Sequence, residues 1–166
     1  MMPTRLNLAP LVLAMACSLT PAAVHADTFT GLVVSIVDGD TLVLQVGRQH
    51  YTLELVAIDA PESVQAWGAQ SRTHLSRLAI NQPATARCTL LERWDHHLCN
   101  VQVNGVDLGQ QQLANGMAWW DRQNASTLSA DASSAYAHAE LMAKLRRLGL
   151  WGETNPVPPW QFRGTR

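Results

Sequence analysis

Residues 28–58, TFTGLVVSIVDGDTLVLQVGRQHYTLELVAI, hold three runs rich in β-branched and apolar residues, TFTGLVVSIV (28–37), TLVLQV (41–46) and HYTLELVAI (50–58). Two short breaks separate them, Asp38-Gly39-Asp40 and Gly47-Arg48. Val, Ile, Thr and aromatic side chains suit the pleated surface of a strand, and Gly and Asp supply turn conformations. The stretch therefore predicts a three-stranded meander.

Further along, Leu75, Leu78 and Ala79 recur at helical spacing within residues 68–80, and Asn81 followed by Pro83 ends that helix. Residues 84–91 and 97–103 read as two more strands joined by Glu92-Arg93-Trp94-Asp95, a loop of hairpin length. A short helix runs from Asp107, its N-cap, to Gly116, and a longer one from about Ser129 to Gly149. Pro156, Pro158 and Pro159 mark an extended, Pro-rich tail from about residue 153. Five strands with a helix between the third and fourth predict a β-rich α+β domain, an OB-fold five-stranded barrel with three helices. Such a barrel hosts many functions, so function must be read from the site.

The chain has 166 residues, 47% hydrophobic and 15% charged, enough for one domain with a real core. Arg5, the apolar run LNLAPLVLAMACSLTPAAV and Val24-His25-Ala26 have the three parts of a secretory signal peptide. Cleavage after Ala26 leaves residues 27–166 as the domain, secreted or periplasmic. No second long apolar run follows, so the mature chain is expected to lack a membrane span, and it is expected to be a monomer. Cys88 and Cys99 remain in it, an even count in an oxidising compartment, equally distant from the centre of the hairpin loop. A regular hairpin sets them opposite each other and predicts a disulfide. Loss of residues 1–26 removes one Arg and no acid, leaving 11 basic against 13 acidic residues and a formal charge of −2. That is not the basic footprint of a tight nucleic-acid binder.

The site residues cluster in two places. VDGDT (37–41) sets Asp38 and Asp40 in a tight turn, and IDAPE (58–62) ends the third strand at Asp59. Carboxylates from two strand ends with a nearby carbonyl are the oxygen donors that a hard cation such as Ca²⁺ takes. Pro61 holds Ala60 extended, and Glu62 lies just beyond, placed to take a proton from a water.

VDGDT, IDAPE, Gly68 with Gln70, NGVDL with NGMAW, GLW and PPWQFR, in this order and spacing, resemble the thermonuclease family, the staphylococcal-nuclease-like phosphodiesterases, over about residues 28–163. The resemblance implies an exported OB-fold nuclease that hydrolyses DNA and RNA with Ca²⁺. It implies metal ligands at Asp40, Asp59 and the Ala60 carbonyl, and a general base at Glu62. The family also carries two phosphate-gripping arginines. The first position is Glu54 here, and alignment of ERWDH (92–96) with the family's DRYGR segment puts His96 at the second. Trp94 keeps an aromatic where that segment has tyrosine, Arg93 stands beside it, and Asp121 and Asn124 occupy the region where the family often has tyrosines.

An Arg fork binds phosphate through two hydrogen bonds, and loss of one such donor costs on the order of 3 kcal/mol of transition-state stabilisation. Two readings follow. One is a weakened nuclease acting on nucleic acid, in which His96, Arg93 or Arg48 covers for the missing arginines. The other is a non-catalytic OB-fold module that binds a metal or an unknown partner in the cell envelope. His96 and His97, as strand neighbours, point to opposite faces and do not share one ion. Trp119, Trp120, Trp151 and Trp160 read as core and tail packing before they read as a base-stacking platform.

Overall fold

Strand β1 (Ala26–Ile36) turns through Asp38 and Asp40 into β2 (Thr41–Val46), and β2 turns at Gly47 into β3 (Gln49–Leu55). The computed structural model describes residues 26–90 and 97–164. A two-residue strand β4 (Ile58–Asp59) leads through a loop to helix α1 (Gly68–Ala79), which is followed by β5 (Pro83–Leu90) and β6 (His97–Val103). A bridge strand β7 (Val106–Asp107), helix α2 (Leu108–Ala114), a second bridge strand β8 (Trp119–Trp120) and helix α3 (Ala130–Leu145) come next. The chain closes with a short helix α4 (Pro159–Gly164).

β1 pairs antiparallel with β2 and with β5, β2 with β3, and β5 with β6. Parallel pairing of β3 with β6 at Leu53 to Leu55 closes the ring, so five strands form a barrel of OB type as the element order predicts. Closure leaves no long free edge among these strands. Side chains alternate inward and outward: Leu42 and Leu44 on β2, Leu53 and Leu55 on β3, and Val101 and Val103 on β6 are buried. On β1 the register shifts between Val33 and Ser35, a bulge that lets both Val33 and Ile36 face the core although they are an odd number of positions apart. Leu75 and Ala79 of α1 and Leu108 and Leu113 of α2 pack on the same core.

Four of the differences from the sequence expectation have a visible physical reason. The third strand stops at Leu55 because Ala57 adopts a left-handed φ of 60°, and Ile58–Asp59 then pairs instead with Trp119–Trp120. Helix α2 ends at Ala114, before Gly116, whose φ is 65°. Helix α3 begins after its Ser129 N-cap as expected, but ends at Leu145, and Arg147 at φ 54° turns the chain away. The tail is not extended throughout: Pro159 opens α4, since a helix start needs no N–H from its first residue. The barrel thus carries the three expected helices and this fourth, short one.

Cys88 and Cys99 are direct partners in the β5–β6 register, with their sulfurs 2.00 Å apart. They close a loop of sequence separation 11. Denatured, unreduced protein comprising residues 27–166 should therefore show no free thiol on titration, and two free thiols would refute the bridge. Replacing both residues by alanine should lower stability in urea by about 3 kcal/mol, the chain-entropy value for a loop of this order.

Candidate active site

The Asp38-Gly39-Asp40 turn is built by its own first carboxylate. Asp38 Oδ1 accepts the amides of Asp40 at 3.1 Å and Thr41 at 2.8 Å, an Asx turn that fixes the entry to β2. Asp40 is thereby turned inward, 9% exposed, and its Oδ2 accepts the Ala60 amide at 2.6 Å. Its own carbonyl accepts the Leu55 amide at 2.8 Å. The two loops that carry the acids are thus bonded directly to each other.

Helices α1 and α2 hold the turn from behind. Gln112, fully buried, donates through Nε2 to the Gly39 carbonyl at 2.5 Å, and lies 3.2 Å from both the carbonyl and the Oγ of Ser71. Its Oε1 meets His74 Nδ1, and Ser71 Oγ donates to the Met117 carbonyl at 2.7 Å. Gly39 fits only because it has no side chain: a Cβ there would lie 2.0 Å from Ser71 Oγ. Gly68 plays the same part beneath Glu62, where a Cβ would lie 2.0 Å from the Glu62 carbonyl. Neither Gln112 nor Ser71 was flagged by the sequence motifs, because a buried polar residue on a helix is recognised only once its partners are known.

Asp38, Asp40, Thr41, Glu54, Asp59, Ala60, Pro61, Glu62 and Arg163 line one cleft of about 170 Å³. The structure therefore brings together all the expected site residues of the first two motifs, Glu54 included. His96, Trp94 and Arg93 lie outside the described residues. The unexpected member is Arg163. Its Nη2 donates to Asp59 Oδ2 at 2.6 Å, and its Nη1 to Glu62 Oε1 at 2.7 Å and Asp59 Oδ1 at 3.2 Å. The arginine was present in the PPWQFR motif, but only the fold of the tail shows where its charge lands.

Burial, with the charge and side-chain hydrogen bond of Asp38 added, pushes the Asp40 carboxyl well above the ordinary range. Burial likewise raises Asp59, against the opposing effect of the Arg163 guanidinium. The hydrogen bonds to Asp59 raise Arg163 in turn, so the arginine stays charged. Among the described residues Asp40 forms no ion pair, and no group of three or more His, Cys, Asp or Glu closes a metal site by itself. The donor set is hard oxygen throughout, and it lies where a cationic guanidinium is already drawn in. A divalent cation that takes few protein ligands and completes its shell with water fits it.

A second cleft, of about 620 Å³, adjoins the first and shares Asp59 and Arg163 with it. Trp119, Trp120, Trp160, Asp121, Asn124 and Lys144 are in its walls. Trp119 packs edge-on against Trp151 at 5.4 Å and Trp160 at 6.4 Å between ring centres, while Arg122 lies 4.8 Å over the Trp120 ring. The tryptophans pack the tail, as the sequence predicts, and three of them, Trp119, Trp120 and Trp160, also face a cleft beside the acids.

A family model described as "Staphylococcal nuclease homologue" matches residues 52–153. "Micrococcal nuclease" of Shigella flexneri is 36% identical over 147 residues, covering 81% of this chain and 80% of that protein. An "Uncharacterized endonuclease" of Haemophilus influenzae is 32% identical over 132 residues, covering 79% and 71%. A protein of the same description from Escherichia coli O157:H7 is 31% identical over 134 residues, covering 80% and 84%.

The buttress beneath the turn has a measurable worth. Gln112→Ala strips the Gly39 carbonyl of its buried donor, so unfolding in urea should show a loss of about 1–3 kcal/mol. Gln111→Ala, one residue away and off the network, should change stability by no more than about 0.5 kcal/mol. Equal effects from the two substitutions would remove Gln112 from this role.

Proposed function

Because the chain belongs to the family of staphylococcal nuclease homologues, we propose that it is a phosphodiesterase that hydrolyses DNA or RNA, with Ca²⁺ held by Asp40, Asp59 and the Ala60 carbonyl. One observation carries the reading: Asp40, Asp59 and Glu62 line a single cleft that shares Asp59 and Arg163 with a Trp-walled cleft of about 620 Å³. Asp40 supports the metal assignment, being a buried carboxylate that no basic side chain among the described residues neutralises. A bound divalent cation would neutralise charge on the phosphate and polarise its oxygen. Glu62, half-buried at the rim and fixed by its amide's hydrogen bond to Gln65 Oε1 at 3.1 Å, takes the proton of the attacking water. Trp120 and Trp160 offer faces on which bases stack, an interaction that tolerates any base and so suits a nuclease of broad sequence range.

Export to the periplasm or the medium belongs to the same proposal. It is supported by the apolar N-terminal run with the Val24-His25-Ala26 that closes it and by the Cys88–Cys99 pair, which persists in oxidising compartments. Among the described residues no helix is long and apolar enough to cross a membrane.

One observation favours the non-catalytic alternative. Arg163 already neutralises Asp59 and Glu62, and Glu54 adds a further acid to the cleft where the family pattern has a cation. The two readings part in one assay. Purified mature protein should cleave single-stranded DNA with Ca²⁺ and not with a chelator, and Asp40→Ala with Asp59→Ala should abolish both cleavage and the calorimetric heat of Ca²⁺ binding. Glu62→Gln should lower kcat by about 10²–10⁴-fold, the usual worth of a general base, while Ca²⁺ binding survives. Intact DNA together with normal Ca²⁺ binding would establish the binding module instead.

A further inference from the structure

Helix α4 carries Arg163 in its last turn, and the segment leading to it is pinned to the rim of the acid cleft. Gln65 Nε2 donates to the Val157 carbonyl at 2.6 Å, and Trp67 Nε1 donates to Glu153 Oε1 at 2.7 Å. Trp160, one turn before the arginine, packs against Trp119. Gln65 also holds the Glu62 amide, so one side chain ties the tail to the loop of the expected base. These contacts deliver the guanidinium to a fixed place, while the side chain itself remains 50% exposed and able to move.

Among the described residues Arg163 is the one basic side chain that lines the acid cleft, and it is also in the wall of the Trp-lined cleft. A phosphodiester lying across the boundary of the two clefts meets it. The sequence lacks arginine at both positions where the family pattern supplies the phosphate's cation, Glu54 and His96. The cleft's cation comes instead from the C-terminal helix.

We propose that Arg163 is the phosphate-gripping residue of this site: it rests on Asp59 and Glu62 and transfers its two-pronged hydrogen bonding to the oxygens of a bound phosphodiester when Asp59 serves a divalent cation. The exchange keeps the chemistry of the contact. A guanidinium that bridges two carboxylate oxygens matches two phosphate oxygens equally well, since both are paired anionic acceptors. Asp59 cannot give the same oxygens to Arg163 and to a metal ion, so the two cations compete, and phosphate draws the arginine away from that competition. Linkage then makes Ca²⁺ and substrate help each other bind. The proposal rests on the nuclease reading for its metal, but it concerns binding, which is measured apart from cleavage.

The test uses the mature protein, Arg163→Ala and Arg163→Lys. Calorimetry with CaCl₂ alone should show Arg163→Ala binding Ca²⁺ about fivefold more tightly than the unchanged protein, because the competing cation is gone. Fluorescence anisotropy with a single-stranded phosphorothioate oligonucleotide, which resists hydrolysis, should show the opposite at saturating Ca²⁺, an affinity about tenfold weaker, the worth of a hydrogen bond to a charged group. Arg163→Lys keeps the charge without the fork, so it should restore the weaker Ca²⁺ binding and only part of the oligonucleotide affinity. Unchanged Ca²⁺ affinity in Arg163→Ala, unchanged oligonucleotide affinity, or the absence of Ca²⁺ binding from all three proteins overturns the proposal. Protein that shows the linkage but leaves unmodified DNA intact loses the nuclease reading and keeps Arg163 as a phosphate ligand.

Discussion

The hydrogen bond from the Ala60 amide to the buried carboxylate of Asp40 joins two chain segments that are twenty residues apart. Asp40 directly precedes β2 and Ala60 follows β4, so this contact ties the two acid-bearing loops to each other. Its cost is a carboxylate taken out of water. What offsets that cost is a ring of backbone donors: Asp38 is satisfied by the Asp40 and Thr41 amides, and Asp40 by the Ala60 amide. Gln112 then holds the Gly39 carbonyl, so the turn is fixed from inside the protein as well as along the chain. A cleft assembled from loops is in this way given the rigidity of the barrel beneath it.

The barrel was legible because its signal is local. Alternating apolar residues in β2 and β3 and the Gly47 turn fix strand register without reference to distant residues, and the equal spacing of Cys88 and Cys99 about the hairpin loop does the same for β5 and β6. The break after Leu55 was less accessible. Val56, Ala57 and Ile58 are as apolar as the strand before them, and nothing in Ala57 announces a positive φ. The pairing of Ile58–Asp59 with Trp119–Trp120, some sixty residues on, is what detaches the segment from β3.

For the site the division is similar. Asp40, Asp59 and Glu62 announce themselves, since a carboxylate next to a turn Gly or Pro in an apolar stretch is conspicuous. Arg163 does not, because an arginine close to the end of a Pro-rich tail has the look of a solvated residue. Its position depends on three contacts between the tail and residues 65, 67 and 119, and such long-range contacts have no periodicity to betray them. Gln112 was hidden for the opposite reason: it follows two other glutamines, Gln110 and Gln111, in α2, and only burial separates it from them.

Three indole rings, those of Trp119, Trp151 and Trp160, meet edge to face where the tail joins the body of the molecule. Their electronic transitions lie at nearly the same energy, and at such separations the transition dipoles couple. The coupling depends on mutual orientation, so a rigid cluster gives a split signal in circular dichroism and a free ring does not. Trp160 belongs to the tail and Trp119 to the strand that pairs with Asp59, which makes the splitting an optical gauge of how the tail is seated. The molecule carries its own chromophore at the junction between the segment that bears the arginine and the strand beside the acid it neutralises, and no added label is needed to watch that junction.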